Sequence, residues 1–281
     1  MKICNTINEL KSEINLHRKA NKTLGFVPTM GALHFGHISL IEQARKESDI
    51  VICSIFVNPI QFNDPADLEK YPRTVSADEQ KLASAGCDIL FLPEVAEIYP
   101  EPVHDTYDFG ALEKVMEGPL RPGHFNGVAV VLKRLFEIAE PHKAFFGEKD
   151  YQQLAIVKCL VNKLQIPIEI IGCPIVREAD GLAMSSRNVR LSADERKLAP
   201  SIYRALTNAK ELLASSSNIE TAKEKVHSLL QAIPEFNVEY FEIVDGETLQ
   251  PIHSLSEADR VVGCIAVWVG NVRLIDMIKL K

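Results

Sequence analysis

The segment LGFVPTMGALHFGHISLIEQA, residues 24–44, decides the fold of this chain. It opens with an apolar run, 24–27, passes through a turn that contains glycine, and continues with apolar residues at helical spacing. A strand that feeds a helix through such a turn directs backbone N–H groups and the positive end of the helix dipole at the space above it. The segment therefore predicts a phosphate-binding turn in an α/β fold.

Two histidines stand in this turn, His34 and His37, with Gly36 between them. At positions i and i+3 they project from one side of the first helical turn, so both imidazoles can donate to one polyphosphate. Gly36 has no side chain and leaves room for a nucleotide against the backbone. The spacing favours charge stabilisation at a phosphoryl group. A metal site and two solvated histidines are the alternative interpretations, although no CxxC or HExxH motif accompanies the pair.

Composition limits the possible partners. The chain has 281 residues, of which 46% are hydrophobic and 25% charged, with a formal net charge of −7. The length predicts two domains, and the acidic balance argues against a nucleic-acid partner. No apolar run is long enough to span a bilayer, and the N-terminus lacks the apolar stretch of a signal peptide, so we expect no membrane association. Six scattered cysteines are typical of reduced thiols in a cytoplasmic protein.

Strand-like and helix-like patterns alternate along the first part of the chain. The predicted strands are 24–27, 50–57, 88–92, 143–146 and 168–171, and the predicted helices are 38–46, 76–85, 127–139 and 151–164. This alternation predicts a Rossmann-like parallel sheet in an N-terminal domain of residues 1–175. The strands are almost continuously apolar, as a sheet covered on both faces requires.

The pattern changes after residue 174. A polar segment, 177–190, precedes two helical stretches and three strand-like runs. The helical stretches are 193–213 and 221–232, and the strand-like runs are 238–244, 261–269 and 272–277. We expect a smaller α+β domain, residues 176–281, which begins with the polar segment as a hinge and serves as a lid.

Four further groups of polar residues follow strands or lie in the hinge. Residues 58–62, NPIQF, offer amides for a polar substrate or form an ordinary turn. Residues 147–150, GEKD, offer an ammonium for phosphate and a carboxylate for ribose, or cap a helix. Residues 184–187, MSSR, suit a polyphosphate or are simply solvated, and the RPGHF turn carries His124 in a functional or structural role.

The ordered set PTMGALHFGH, FVNPIQF, YPRT, RPGHF, FFGEKDYQQL, GLAMSSRN and VRLID resembles the pantoate–β-alanine ligase (pantothenate synthetase) family along essentially the whole chain. The first motif alone indicates only the wider HxGH nucleotidyltransferase superfamily. The resemblance implies condensation of (R)-pantoate with β-alanine through a pantoyl adenylate, with release of AMP and pyrophosphate. It also implies ATP as a substrate, Mg²⁺ beside it, and a homodimer in the cytoplasm.

The resemblance also assigns roles to individual residues. It implies His37 as the proton donor with His34 beside it on the phosphates, and Asp78 as a candidate ligand of Mg²⁺. Gln61 and Gln153 match the pantoate contacts, and Gln61 also lies near β-alanine. A neutral amide orients a carboxylate without neutralising its nucleophilic charge. The residues assigned to ATP are Met30, Gly31, Ala32, Leu33, His34, Phe35, Gly36, His37, Gly147, Glu148, Lys149, Asp150, Val176, Met184, Ser185, Ser186 and Arg187.

Two other functions stay open on the sequence. One is a nucleotidyltransferase that stops after transfer to a phosphate or carboxylate acceptor. The other is a nucleotide-sensing module that uses the same residues without turnover. An aminoacyl-tRNA synthetase is disfavoured, because the acidic chain has no basic extension for tRNA.

Overall fold

The computed structural model describes residues 1–62, 68–216 and 218–281, which divide into two compact units. The first unit comprises Met1–Phe109, Leu120–Gly147 and Ile156–Cys173, and the second comprises Gly110–Pro119, Glu148–Ala155 and Pro174–Lys281. The predicted fold class, a parallel N-terminal sheet with a small α+β region near the C-terminus, is confirmed. Two segments that precede residue 174 belong to the second unit, and the functional division into residues 1–175 and 176–281 stays a prediction.

Six parallel strands form the sheet of the first unit in the order β1-β4-β3-β2-β5-β6. Their bounds are β1 Lys2–Cys4, β2 Leu24–Thr29, β3 Ile50–Ile55, β4 Ile89–Phe91, β5 Lys143–Gly147 and β6 Glu169–Cys173. No sequence pattern predicts β1, because only one of its three residues is buried and its apolar residues form no run. The order reverses between β2 and β5, and open parallel sheets bind ligands at the carboxyl ends of such strands.

Helices of the first unit cover both faces of this sheet. The helices before residue 174 whose bounds the structure describes are α1 Ile7–Lys19, α2 Phe35–Glu47, α3 Val75–Ser84, α4 Val95–Ile98, α5 Glu117–Leu120, α6 His124–Ala139 and α7 Tyr151–Lys163, and most of α5 and the start of α7 belong to the second unit. Ile41 of α2 shares a core cluster with Val27 of β2. The preceding strand residue, Phe26, packs edge to face against Phe136 of α6, with the ring centroids 6.4 Å apart. Both faces of β2 are therefore buried, as its apolar run predicts.

The second unit contains an antiparallel sheet in the order β7-β8-β9. Its elements are α8 Ala193–Leu198, α9 Ser201–Ser216, α10 Ile219–Gln231, β7 Phe236–Asp245, β8 Val261–Val269 and β9 Val272–Lys279. The prediction of one helix over 193–213 is wrong, because Pro200 has no N–H and separates α8 from α9. In the part of the chain that the structure describes, no helix is long and apolar enough to cross a membrane.

Candidate active site

A buried carboxylate from α3 holds the turn between β2 and α2. Asp78 is fully buried, and it accepts hydrogen bonds from the N–H groups of Ala32 and Leu33, both at 2.8 Å. Ala32 has a φ of +49°, a conformation that costs a non-glycine residue about 1–2 kcal/mol. Lys81, one turn further along α3, donates from Nζ to the Leu33 carbonyl oxygen at 2.6 Å. These two side chains, the Asp78–Lys81 clamp, stabilise a strained turn.

His34 and His37 cap α2 with their own imidazole rings. Nδ1 of His34 accepts from the Gly36 N–H at 3.1 Å, and Nδ1 of His37 accepts from the His34 N–H at 3.3 Å. A backbone N–H can only donate, so each Nδ1 is an unprotonated acceptor and each Nε2 carries the hydrogen. The ring centroids are 4.1 Å apart. The pair therefore presents two neighbouring Nε2–H donors.

Because of this cap, hydrogen-bond donors for an anion come from the imidazole side chains rather than from the backbone of the turn. The sequence predicts that backbone N–H groups of the turn face a phosphate, but those of Ala32, Leu33, His34 and Gly36 are bonded within the protein. The prediction fails for these four groups, because side chains from the turn itself and from α3 satisfy them. The imidazole rings stand at the same helix end and supply side-chain donors in their place.

Gln61 lies in a 3₁₀ turn, Pro59–Gln61, that follows β3, and within the described part of the chain its side chain bonds to uncharged groups. Oε1 of Gln61 accepts a hydrogen bond from Nδ2 of Asn58 at 3.2 Å. Nε2 of Gln61 lies 3.0 Å from Sδ of Met30. A Cβ at Gly127 of α6 would lie only 2.6 Å from the Gln61 Cα, so this close approach requires glycine. The structure thus brings Gln61 against Met30, two residues that the sequence assigns to different substrates.

The RPGHF turn contacts the backbone of Gln61 through His124. His124 is buried at the start of α6, directly after Gly123, which has a φ of +79°. Its Nδ1 lies 2.9 Å from the carbonyl oxygen of Gln61. A carbonyl only accepts, so Nδ1 carries the proton and donates to the Gln61 backbone. The structural interpretation of this turn is therefore favoured.

Gly147 ends β5 in the first unit, and the next three residues form a 3₁₀ turn in the second. A Cβ at Gly147 would meet nothing within 4 Å. Lys149 is 18% exposed, and its Nζ lies 3.3 Å from the Asp150 carboxylate. Glu148 pairs with Lys279 at 2.7 Å. The turn therefore offers one partly buried ammonium with a carboxylate beside it.

Gln152 and Gln153 at the start of α7 have different surroundings. Gln152 is buried, donates to the carbonyl oxygens of Leu112 and Val115 at 2.7 and 2.9 Å, and accepts from the Glu117 N–H at 3.0 Å. Gln153 is only half-buried. Consecutive residues of an α-helix point about 100° apart, so Gln153 turns away from this anchoring side. The family resemblance assigns Gln153 to pantoate, whereas the structure gives its neighbour, Gln152, a structural role.

Val176 and Met184 meet across a short antiparallel hairpin. The Met184 N–H donates to the Val176 carbonyl oxygen at 3.0 Å. Arg177, beside Val176, forms two hydrogen bonds of 2.6 and 2.9 Å to the buried carboxylate of Asp276 in β9. Its guanidinium also lies 3.7 Å from the centroid of the Tyr203 ring. An ion pair and a cation–π contact therefore fix a hairpin that carries two residues assigned to ATP.

Ser185 begins the next turn, Ser186–Arg190, and caps it. Its Oγ accepts from the Arg187 N–H at 3.2 Å. Asn188 donates from Nδ2 to the Ala183 carbonyl oxygen at 3.1 Å. The MSSR residues are all half-buried, so the segment is an ordered turn rather than a solvated linker.

The sequence of the whole chain matches a known family. The model of the family described as pantoate-beta-alanine ligase matches residues 2–279. The chain belongs to the pantoate-beta-alanine ligase family. The pantothenate synthetase of Porphyromonas gingivalis is 54% identical over 281 residues, which cover 100% of both chains. The pantothenate synthetase of Bacteroides fragilis is 50% identical over 100% of this chain and 99% of the relative.

Solved structures of the pantoate-beta-alanine ligase family share the fold. The pantothenate synthetase of Thermus thermophilus is 43% identical, covers 100% of both chains and superposes with a TM-score of 0.94. The pantoate-beta-alanine ligase of Francisella tularensis, complexed with beta-gamma ATP and beta-alanine, is 37% identical, with a TM-score of 0.81 over 100% of this chain and 98% of that chain. The resemblance drawn from the motifs is confirmed, and an AMP-forming ligase is favoured over the two alternatives.

Asp78 does not fit the magnesium site that the resemblance implies. Both carboxylate oxygens accept backbone hydrogen bonds, and Oδ2 also accepts from the Thr74 hydroxyl at 3.1 Å. The side chain is fully buried beneath the turn. Among the described residues, no group of three or more His, Cys, Asp or Glu side chains could hold a metal ion. We therefore assign no protein ligand of Mg²⁺ in this member of the ligase family.

Sequence reasoning missed two residues of the first unit. Lys81 has no motif of its own, and only the close approach of α3 shows its bond to Leu33. Tyr99 lies 41 positions after Asn58, yet its hydroxyl donates to the Asn58 Oδ1 at 2.9 Å. No spacing rule connects residues so far apart in the chain, so neither contact has a signal in one sequence.

Proposed function

We propose that this ligase joins pantoate to β-alanine in two steps. A carboxylate oxygen of pantoate attacks the α-phosphorus of ATP, and the bond to pyrophosphate breaks. The amine of β-alanine then attacks the acyl carbon, the bond to AMP breaks, and the nitrogen loses a proton. The match of the family to residues 2–279 carries this proposal. The geometry of the described residues supports the roles that follow.

His34 and His37 stabilise the negative charge that grows on the phosphates as pyrophosphate leaves. Both rings offer Nε2–H, because both Nδ1 atoms accept backbone hydrogen bonds. Donors fixed before the reaction need no reorganisation in the transition state, which makes them effective electrostatic catalysts. His37 is the proton donor that the family resemblance implies, and His34 is its companion.

Gln61 and Gln153 orient the carboxylate of pantoate, and Gln61 also lies near β-alanine. The contacts of Gln61 support this role because the described partners of its side chain are the Asn58 amide and the Met30 thioether, neither of which is charged. An uncharged amide orients the carboxylate and leaves it its full nucleophilic charge. Correct alignment with the α-phosphorus supplies up to roughly 7–11 kcal/mol in favourable intramolecular reactions.

The remaining residues assigned to ATP bind its phosphates and base. Lys149, Ser185, Ser186 and Arg187 contact the phosphates with an ammonium, two hydroxyls and a guanidinium. The backbone of Val176 contacts adenine. The half-burial of the MSSR turn and the hydrogen bond from Met184 to Val176 support an ordered binding segment.

Magnesium accompanies ATP as part of the nucleotide substrate. When bound, it neutralises charge on the phosphate oxygens and retains several of its waters. We propose no protein ligand for it, since Asp78 is committed to the turn. The family resemblance also carries the proposals of a homodimer and of a cytoplasmic location, and light scattering of the purified protein tests the first.

The decisive experiment follows the labelled carboxylate. The protein is incubated with ATP, Mg²⁺, β-alanine and pantoate whose carboxylate carries ¹⁸O. We expect AMP release that requires both acid and amine, with one labelled oxygen in the phosphate of AMP, because the oxygen that attacks phosphorus leaves with AMP. Release of ADP, or unlabelled AMP, contradicts the adenylate. AMP or pyrophosphate release without amide product supports the nucleotidyltransferase, and nucleotide binding with no turnover supports the sensing module.

A further inference from the structure

A row of uncharged hydrogen bonds stands behind Gln61. The hydroxyl of Tyr99 donates to Oδ1 of Asn58 at 2.9 Å, and Nδ2 of Asn58 donates to Oε1 of Gln61 at 3.2 Å. Tyr99 directly follows the short helix α4. Its ring packs edge to face against Phe56, with the ring centroids 6.0 Å apart. All four residues belong to the first unit. The row leads from a distant helix end to the glutamine assigned to pantoate.

Backbone groups determine which atom donates and which accepts in each hydrogen bond of this row. The Ile60 N–H donates to Oδ1 of Asn58 at 3.3 Å, and the Gly127 carbonyl oxygen accepts from its Nδ2 at 3.0 Å. An N–H only donates and a carbonyl only accepts, so the amide of Asn58 has one allowed orientation. Tyr99 must therefore donate rather than accept. Burial raises the pKa of the Tyr99 phenol, which keeps this donor protonated.

The orientation passes on to Gln61. Because Asn58 presents an N–H, the atom of Gln61 that faces it must be the carbonyl oxygen, Oε1. Its amide nitrogen, Nε2, then points the other way and donates one hydrogen to Sδ of Met30, with 3.0 Å between Nε2 and Sδ. The amide has two hydrogens, and a thioether is a weak acceptor. Gln61 is thus held as a donor, as binding of a carboxylate requires.

We propose that Tyr99 is a positioning residue for pantoate, acting through Asn58 on the amide of Gln61, and this inference rests on the proposed role of Gln61. Without the hydroxyl, the longer bond from the Ile60 N–H is the one that remains on Oδ1 of Asn58 among the residues that the structure describes. The amide of Asn58 is then held less firmly, and so is the rotamer of Gln61. Tyr99 contacts neither ATP nor the reacting atoms in this scheme.

The first test is Tyr99→Phe, which keeps the ring and its contact with Phe56. We expect the KM for pantoate to rise about two- to tenfold, the range for loss of one uncharged hydrogen bond, while the KM for ATP stays unchanged. Tyr107→Phe is the matched control in the same unit, and all its parameters should equal those of the wild type. Equal changes in both KM values, together with a lower melting temperature, overturn the inference in favour of a general structural role.

A double-mutant cycle separates action through Gln61 from an independent effect. If Tyr99 acts through Gln61, then Tyr99→Phe adds nothing to the pantoate KM of a Gln61→Ala variant. If the two effects multiply, the inference is wrong.

The same cycle distinguishes the inference from its premise. An unchanged pantoate KM in Gln61→Ala rejects the proposed role of Gln61, and with it the inference. A raised KM in Gln61→Ala, combined with a normal KM in Tyr99→Phe, rejects only the role of Tyr99 and leaves the proposed function standing.

Discussion

Two regions of the molecule hold a glutamine in different ways. In the first unit, the side-chain amide of Gln61 contacts the amide of Asn58 and the thioether of Met30, and Asn58 in turn accepts a hydrogen bond from the Tyr99 phenol. In the second unit, Gln152 accepts from the N–H of Glu117, whose carboxylate receives two hydrogen bonds from Arg273 at 2.8 and 2.9 Å. The first glutamine is assigned to a carboxylate substrate, and the second has a structural role. A charged partner beside Gln61 would compete with the carboxylate substrate for the amide. Near Gln152, the Glu117–Arg273 ion pair only stabilises the contact between chain segments.

The largest expected effect is a loss of stability when the buried ion pairs of Arg273 in the second unit are removed. Arg273 lies between two carboxylates, Glu117 and Glu239, and all three are largely buried. Arg273→Met leaves both carboxylates without their cation, and we expect the free energy of unfolding to fall by about 3–5 kcal/mol. Urea denaturation of the full chain measures this change.

An exposed pair in the same unit provides the control for Arg273. Arg196 pairs with Asp180 at 2.6 Å, but the two side chains are 35% and 42% exposed. Arg196→Met should lower the free energy of unfolding by at most about 1 kcal/mol. Equal destabilisation by the two substitutions would show that burial does not distinguish these pairs and would remove the comparison.

The next largest effect is expected at the double-histidine cap. His37→Ala removes one Nε2–H donor, and we expect kcat to fall about 10²–10³-fold, as for loss of one oxyanion donor. Pantoate-dependent exchange of labelled pyrophosphate into ATP measures the adenylation step. His104→Ala, at an exposed histidine, should behave as the wild type. A folded His37→Ala variant with near-normal exchange would remove His37 from the mechanism.

The Asp78–Lys81 clamp tests whether Asp78 serves the backbone or a metal ion. Asp78→Asn turns one acceptor into a donor against a backbone N–H, so we expect a loss of about 1–3 kcal/mol of stability and a higher KM for ATP. The concentration of free Mg²⁺ that gives half-maximal activity at saturating ATP should stay unchanged.

Asp259→Asn, at an exposed carboxylate, is the control for the clamp, and it should change neither stability nor the KM for ATP. A shift of the Mg²⁺ requirement to higher concentration in Asp78→Asn, with normal stability, would restore Asp78 as a metal ligand.

The smallest of these effects sharpens the comparison at Gln61 itself. Gln61→Glu keeps the shape of the side chain but places a negative charge between the Asn58 amide and the Met30 thioether. We expect the KM for pantoate to rise about tenfold, or roughly 1.4 kcal/mol, with little change in the KM for ATP. Gln231→Glu, at an exposed glutamine, should have no effect. A normal pantoate KM in Gln61→Glu would show that neutrality at this position is unimportant.

Much of the fold follows from local patterns. The strands β2 to β6 and most helices appear near their predicted positions, because burial leaves continuous apolar runs in the four inner strands of the sheet and helices leave a 3.6-residue period. The misses have local causes. The strand Lys2–Cys4 is too short to show a period, and Pro200 divides a stretch whose apolar spacing continues across it.

The candidate site was only partly accessible to sequence reasoning. His34 and His37 are close in the chain, so their shared side of a helix is predictable from spacing, and the structure places the rings 4.1 Å apart. Their tautomers are not predictable, because these depend on which backbone N–H each Nδ1 meets. The role of Asp78 depends on the approach of α3 to a turn 46 positions away in the chain.

By itself, the sequence determined the family, the α/β class and the residue types that a carboxylate-activating ligase needs, because ordered motifs and periodicity are properties of neighbouring residues. Tertiary structure alone decided which groups face each other. It assigns Asp78 to a strained turn, fixes the Nε2–H donors of two histidines, and sets Tyr99 behind Gln61 through Asn58. The physical reason is that hydrogen bonds depend on distance and on donor direction, and folding sets both between segments that no sequence pattern connects.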